Sequence, residues 1–167
     1  MITASHNPEE YNGLKFFNSE GEFLSREDVS KLIEYSESKN HIFSSNNSLG
    51  TISEYDRLID DHVDAILNLK ILPLDEIREL ELSVSADSIN SGGSIAIPKL
   101  LDRLNIQYNI INSEIKGVFN HTPEPLAENL TDLSESIKVN KSDFGIAVDP
   151  DVDRLVFFDE NGQILGE

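Results

Sequence analysis

Three carboxylates alternate directly after an apolar run, in Gly145-Ile146-Ala147-Val148-Asp149-Pro150-Asp151-Val152-Asp153-Arg154. A hard divalent cation takes oxygen ligands, and Mg²⁺ in particular takes few carboxylates and keeps positions open for water and phosphate. Alternation within a tight loop turns several carboxylates toward one point, and Arg154 adds a fixed positive charge beside them. A solvated acidic turn would explain the aspartates, but not why an apolar strand feeds straight into three of them. A helix–loop–helix calcium site also uses aspartate at its first, third and fifth positions, and Glu160 falls at the twelfth. That reading fails at the sixth position, where Arg154 stands in place of the glycine the loop needs, and the flanks read as strands.

A second group lies at the other end of the chain, in Thr3-Ala4-Ser5-His6-Asn7-Pro8 followed by Asn12-Gly13-Leu14-Lys15. Ser5 falls where a short apolar stretch breaks into an Asn-Pro turn, a place that can expose a hydroxyl. A serine hydroxyl is a weak nucleophile and needs a nearby base, or an electrophile held in line. His6 and Lys15 are the local candidates for moving its proton, and a lysine serves as a base only in surroundings that disfavour its charge. The same residues are also ordinary turn formers, so the loop alone decides nothing.

The elements that must position these groups follow from the apolar spacing. Residues 1–4 read as the end of a strand and 14–17 as a short strand. Ser25, with Asp28 three residues on, predicts a capped helix with Val29, Leu32 and Ile33 as its apolar stripe. A polar run at 44–48 marks a domain boundary near residue 50. Beyond it, Tyr55, Leu58, Ile59, Val63, Ile66 and Leu67 recur at helical spacing. A short helix is expected over 74–80, a strand over 82–86 and a glycine- and serine-rich loop over 87–93. A helix over 95–104 has Pro98 in its first turn. A strand over 108–111, a helix over 126–139, a strand over 144–148 and a closing antiparallel hairpin over 155–165 complete the chain. Strands alternating with helices predict an α/β fold, a mixed sheet flanked by helices.

Bulk properties narrow the partners. The 167 residues carry a net charge of −18, 38% hydrophobic residues and no cysteine. An acidic surface repels nucleic acid and anionic membranes. No apolar run approaches the roughly 20 residues that span a bilayer, and the start has no basic and apolar secretion signal. The expectation is a cytoplasmic protein with no nucleic-acid or membrane partner and no disulfide. A small anionic substrate would need a local cation against this background.

Together the two motifs resemble the α-D-phosphohexomutase superfamily, which includes phosphoglucomutase, phosphomannomutase and phosphoglucosamine mutase. The resemblance rests on Thr3-Ala4-Ser5-His6-Asn7-Pro8 with Asn12-Gly13-x-Lys15, and on Asp149-x-Asp151-x-Asp153-Arg154. The stretch from Asn120 to Pro125, with Glu128-Asn129-Leu130, and the loop from Asp87 to Gly93 agree with it. The resemblance implies a phosphoserine at Ser5 and a Mg²⁺ ion held by Asp149, Asp151, Asp153 and a phosphate oxygen on Ser5. It makes Arg154 a phosphoryl-binding residue and gives His6 and Lys15 proton transfer. The implied partners are a hexose phosphate and a hexose bisphosphate, interconverted between 6- and 1-phosphates. Asn12-Gly13-Leu14-Lys15-Phe16-Phe17 resembles the phosphoglucosamine mutase branch, with phosphomannomutase/phosphoglucomutase next. Residues 1–50 would be the back part of the first of four domains and 51–167 the second, so the isolated chain is expected not to catalyse isomerisation. Pro150 departs from the glycine usual in the family. Two other readings stay open: a haloacid-dehalogenase-like phosphatase with Asp149 as nucleophile, which Asp149-Pro150-Asp151-Val152 fits, and a non-catalytic acidic metal-binding module.

Overall fold

The computed structural model describes residues 1–166. Its contacts divide the chain into two units, one of Met1–Thr3 with Gly13–Tyr55, the other of Ala4–Asn12 with the chain from Asp56 onward.

In the first unit, α1 (Arg26–Glu37) starts where the sequence places it. The Ser25 hydroxyl oxygen accepts from the Asp28 amide at 3.1 Å and donates to the Asp28 carboxylate at 2.6 Å. The strand expected over 14–17 does not form. Isolated bridges join Ile2 to Leu14 and Phe17 to Phe23, with the Phe17 and Phe23 rings stacked 4.9 Å apart. Asn18 ties the intervening turn by accepting from the amides of Glu20 and Glu22. Among the described residues no further strand extends either bridge, and an isolated pair gains too little to propagate a ladder. No side chain of this unit is fully buried.

The second unit has a real core. After α2 (Leu58–Leu67) and α3 (Leu74–Glu79) come β1 (Ser83–Asp87), α4 (Gly93–Arg103), β2 (Gln107–Ile111), α5 (Thr131–Asn140), β3 (Phe144–Val148), β4 (Leu155–Phe158) and β5 (Ile164–Gly166). The sheet order is β2-β1-β3-β4-β5. β1 runs parallel to both β2 and β3, and β4 and β5 add antiparallel. This is the mixed, helix-flanked sheet that the alternating pattern predicts.

Alternation along the strands sends side chains into two separate cores. Val84, Ala86 and Val148 meet Ile97 and Leu101 of α4 on one face. Ala147, Val156 and Phe158 meet Leu133 and Ile137 of α5 on the other. Gly145 lets α5 lie close, because a Cβ there would reach Ile137 Cγ1 at 2.9 Å and Phe158 Cβ at 3.2 Å.

Three helices depart from the sequence reading by two residues or more. α2 begins at Leu58, so Tyr55 lies outside it. α4 begins at Gly93, which puts Pro98 inside the helix rather than in its first turn. There the proline ring forfeits one intrahelical bond. The helix expected over 126–139 is broken: a 3₁₀ turn at Ala127–Asn129 precedes Leu130, whose φ of −114° ends it before α5 starts. The break drives Leu130 into the core at 2% exposure, and the Asn129 side chain bonds the Glu124 carbonyl at 2.8 Å. Among the described residues no helix is long and apolar enough to cross a membrane.

Candidate active site

β1 and β3 are neighbours, yet the chain leaves β1 through α4 to β2 on one side and reaches β3 on the other. Loops after such a pair diverge and open a crevice at the carboxyl ends of the strands, the usual place for a ligand in an open α/β sheet. Residues 88–92 follow β1. Residues 149–154 follow β3 and turn back into β4.

The aspartate loop is built on a β-turn in which the Val152 amide donates to the Asp149 carbonyl at 3.1 Å. Pro150 takes the first central position, where a fixed φ near −65° is favoured. The proline that departs from the family pattern therefore fits the turn observed. Val152 sits at φ 64°, a left-handed conformation that is uncommon for a β-branched residue.

Asp149 is completely buried. Its Oδ1 accepts from the amides of Asp153 at 3.0 Å and Arg154 at 3.1 Å. Its Oδ2 accepts from the Ser5 hydroxyl at 3.0 Å. Burial pushes this carboxyl above its ordinary value of 3.8; the Arg154 amide and Ser5 hydroxyl pull it back, and the charges of Asp151 and Asp153 add to the upward push. One oxygen from each of Asp149, Asp151 and Asp153 lies within 4.8 Å of the others. Three hard oxygen donors, one locked in place by its own loop, suit Mg²⁺. A bound cation would offset both the desolvation and the mutual repulsion of the carboxylates.

Ser5 is half-buried and adopts φ 52°. It occupies the first central position of a turn in which the Asn7 amide donates to the Ala4 carbonyl at 3.1 Å. The Asn7 side chain bonds the same carbonyl at 2.8 Å. His6 Nδ1 stands 3.2 Å from Ser5 Oγ. The hydroxyl has one proton, and giving it to Asp149 leaves the oxygen to accept from an Nδ1–H tautomer of His6. Glu9 ties the loop to residue 119 by accepting from the Phe119 amide at 3.3 Å.

Ser5, His6 and Asp149 are thus bonded in series, and Asp151 and Asp153 cluster with Asp149. Arg154 Nη1 lies 3.7 Å from Glu124 Oε1. Lys15 belongs to the first unit, where its amide donates to the Met1 carbonyl at 2.9 Å.

A buried polar group stands beside these residues to which the sequence assigns no role. Asp87, 1% exposed, ends β1. It accepts from the Ile89 amide at 2.9 Å, from Asn112 Nδ2 at 2.8 Å and from His121 Nε2 at 3.0 Å. His121 Nδ1 lies 2.8 Å from the Thr122 carbonyl, so both ring nitrogens face acceptors and only the imidazolium donates to both. Burial pulls the His121 pKa down, but the hydrogen bonds to Asp87 and Thr122 and the charges of Asp87 and Asp132 outweigh it and leave it above 6.5. In the sequence Asp87 and His121 both fall in stretches already singled out, the loop from Asp87 to Gly93 and the stretch from Asn120 to Pro125, but nothing there pairs them.

Comparison with known proteins agrees with this architecture. The family model for phosphoglucomutase/phosphomannomutase alpha/beta/alpha domain II matches residues 60–162, and that for domain I matches residues 1–42. A phosphoglucomutase/phosphomannomutase of Thermococcus kodakarensis is 36% identical over 99% of this chain and 36% of its own length. A probable phosphoglucosamine mutase of Methanosarcina acetivorans is 34% identical over 99% of the chain and 37% of its own length. The crystal structure of a phosphoglucomutase/phosphomannomutase family protein from Burkholderia thailandensis superposes with a TM-score of 0.76 at 27% identity, covering 98% of this chain and 34% of that one. The chain therefore spans a little over a third of the length of these curated relatives. A match along most of its residues, on the fold that sets the aspartate loop at a sheet's switch point, shows that the chain belongs to the phosphoglucomutase/phosphomannomutase family, the α-D-phosphohexomutases.

Proposed function

We propose that this chain carries the phosphoserine and metal-binding parts of a phosphohexomutase that interconverts hexose 6-phosphate and hexose 1-phosphate, with glucosamine phosphate as its sugar. The observation that carries the reading is the 3.0 Å bond from Ser5 to buried Asp149, across 144 positions of sequence, with two more carboxylates beside it. Residues 1–50 would supply the end of the first domain and 51–167 the second. The match of the two family domain models over 1–42 and 60–162 supports that division. The choice of glucosamine is supported by the Methanosarcina relative's name and by the Asn12–Phe17 stretch.

Ser5 would carry the phosphoryl group. The bond from phosphorus to Ser5 Oγ breaks as one to a sugar hydroxyl oxygen forms, and the hydroxyl proton passes to a base. His6, 3.2 Å from Ser5 Oγ, and Lys15 are assigned that proton. The bisphosphorylated sugar then turns over and returns its other phosphoryl group to Ser5. Asp149, Asp151, Asp153 and an oxygen of the phosphorylated Ser5 would hold Mg²⁺, which when bound neutralises charge on the transferring group. Arg154, steadied by Glu124, would hold the phosphoryl oxygens.

The test is to express the complete reading frame that contains this sequence. It is assayed with Mg²⁺ and a hexose bisphosphate on glucosamine, mannose and glucose phosphates, beside Ser5→Ala. Isomerisation of glucosamine phosphate that falls by at least about a thousandfold in the variant is the expected result. Preference for mannose or glucose phosphate would correct the sugar. Activity indifferent to Ser5, or a labile acyl phosphate on Asp149, would sink the phosphoserine reading.

A further inference from the structure

The loop after β1 touches the aspartate loop at a point with no part in the proposed chemistry. The Ser91 hydroxyl donates to the Pro150 carbonyl at 2.9 Å, and the Gly92 amide donates to the same oxygen at 3.2 Å. Gly92 immediately precedes α4, which has no side-chain cap. The Pro150 carbonyl thereby satisfies an amide at the helix entrance, an end that favours negative partial charge. The fit is close, since a Cβ on Gly92 would stand 3.2 Å from both Pro150 O and Val152 Cγ2.

Pro150 and Val152 are the residues between the three aspartates. Pro150 has no amide to anchor it, so its carbonyl is the handle by which the turn is held from outside. Within the turn, the Asp149 carbonyl and Oδ1 already bind amides further along the loop. The external bonds at Pro150 therefore set the orientation of the whole turn relative to α4, and with it the direction in which the carboxylates converge.

We propose that Ser91 is a positioning residue for the metal site. Its hydroxyl, together with the Gly92 amide, grips the Pro150 carbonyl and fixes the turn that brings Asp149, Asp151 and Asp153 to one point. The proposal rests on those aspartates holding a divalent cation, as proposed above. Groups that orient ligands without touching the metal typically change affinity by 10–100-fold when removed.

The experiment is a Mn²⁺ titration of the chain followed by electron paramagnetic resonance. Unaltered protein, Ser91→Ala, Ser91→Thr and Gly92→Ala are compared, and each protein's metal-free melting temperature is recorded. The expected result is about a tenfold loss of affinity and a changed Mn²⁺ spectrum in Ser91→Ala. Ser91→Thr, which keeps the hydroxyl, should return both to within about threefold of the unaltered protein. Gly92→Ala, which leaves Ser91 in place but crowds the same carbonyl, should weaken binding in the same direction, and it carries the test if Ser91→Ala does not fold. Unchanged affinity in Ser91→Ala, or in Gly92→Ala where that variant stands in, overturns the positioning role whatever the melting temperature does. An unaltered protein that binds no Mn²⁺ overturns the metal site and this proposal together.

Discussion

Residues 149–154 close a hairpin between two paired strands, with Val148 registered against Leu155, whereas residues 4–12 fold back mostly on their own backbone. The aspartate loop is held from below by the sheet, from within by two amides on Asp149 and from the side by Ser91 and Gly92. The serine loop closes local turns at Ala4 and Pro8, and Ser5 and Glu9 reach distant residues through their side chains. One loop is part of the scaffold and the other is leaned against it. Under the proposed phosphoryl transfer that division would have a use: the aspartate loop presents its charges preorganised, and the serine loop rests on it through the Ser5–Asp149 bond.

The contrast breaks most visibly under the aspartate loop. Leu133 is fully buried beneath Ala147, and Leu133→Ala should cost about 3 kcal/mol of stability in a denaturant titration. Gly145→Ala forces a Cβ against Ile137 and Phe158 and should cost about 2 kcal/mol by the same measurement. Ser5→Ala should separate function from stability. It removes one bond to the buried Asp149 carboxylate, about 1.5 kcal/mol, although the proposed isomerisation depends on it. A loss as large as that of Leu133→Ala would mean the serine loop is scaffold too. The smallest effect concerns the Asp87–His121 pair. Its folded pKa is raised, so its stabilisation is fully present below pH 6.5 and is lost as pH rises through the folded value. The melting temperature should fall over that range by about 2 °C more than in His121→Gln.

The sheet was legible because β1 and β3 are short apolar runs bounded by turn residues, and because Glu160-Asn161-Gly162 announces the final hairpin. The break at Leu130 was not, since the apolar spacing runs on past it and the interruption is settled by the Asn129 side chain and the core beneath. The single bridges at Leu14 and Phe17 resemble a strand in the sequence because pairing depends on a non-local partner. In the site, the proximity of Ser5 to the aspartates was readable only from a motif, as 144 positions separate Ser5 from Asp149. Ser91 reaches Pro150 across 59 positions and His121 reaches Asp87 across 34. Both contacts are products of strand order, which no local pattern encodes.

Val152 carries a kinetic consequence. A β-branched residue at φ 64° costs about 1–2 kcal/mol relative to an ordinary conformation, so an unfolded chain seldom visits it unaided. The turn it belongs to is therefore expected to close late, once β3, β4 and the Gly92 loop can hold it, and to contribute little to the folding transition state. A cation bound to it would slow unfolding and leave the folding rate unchanged. Stopped-flow refolding and unfolding with and without Mn²⁺ would display this as a shift in one arm of the chevron alone.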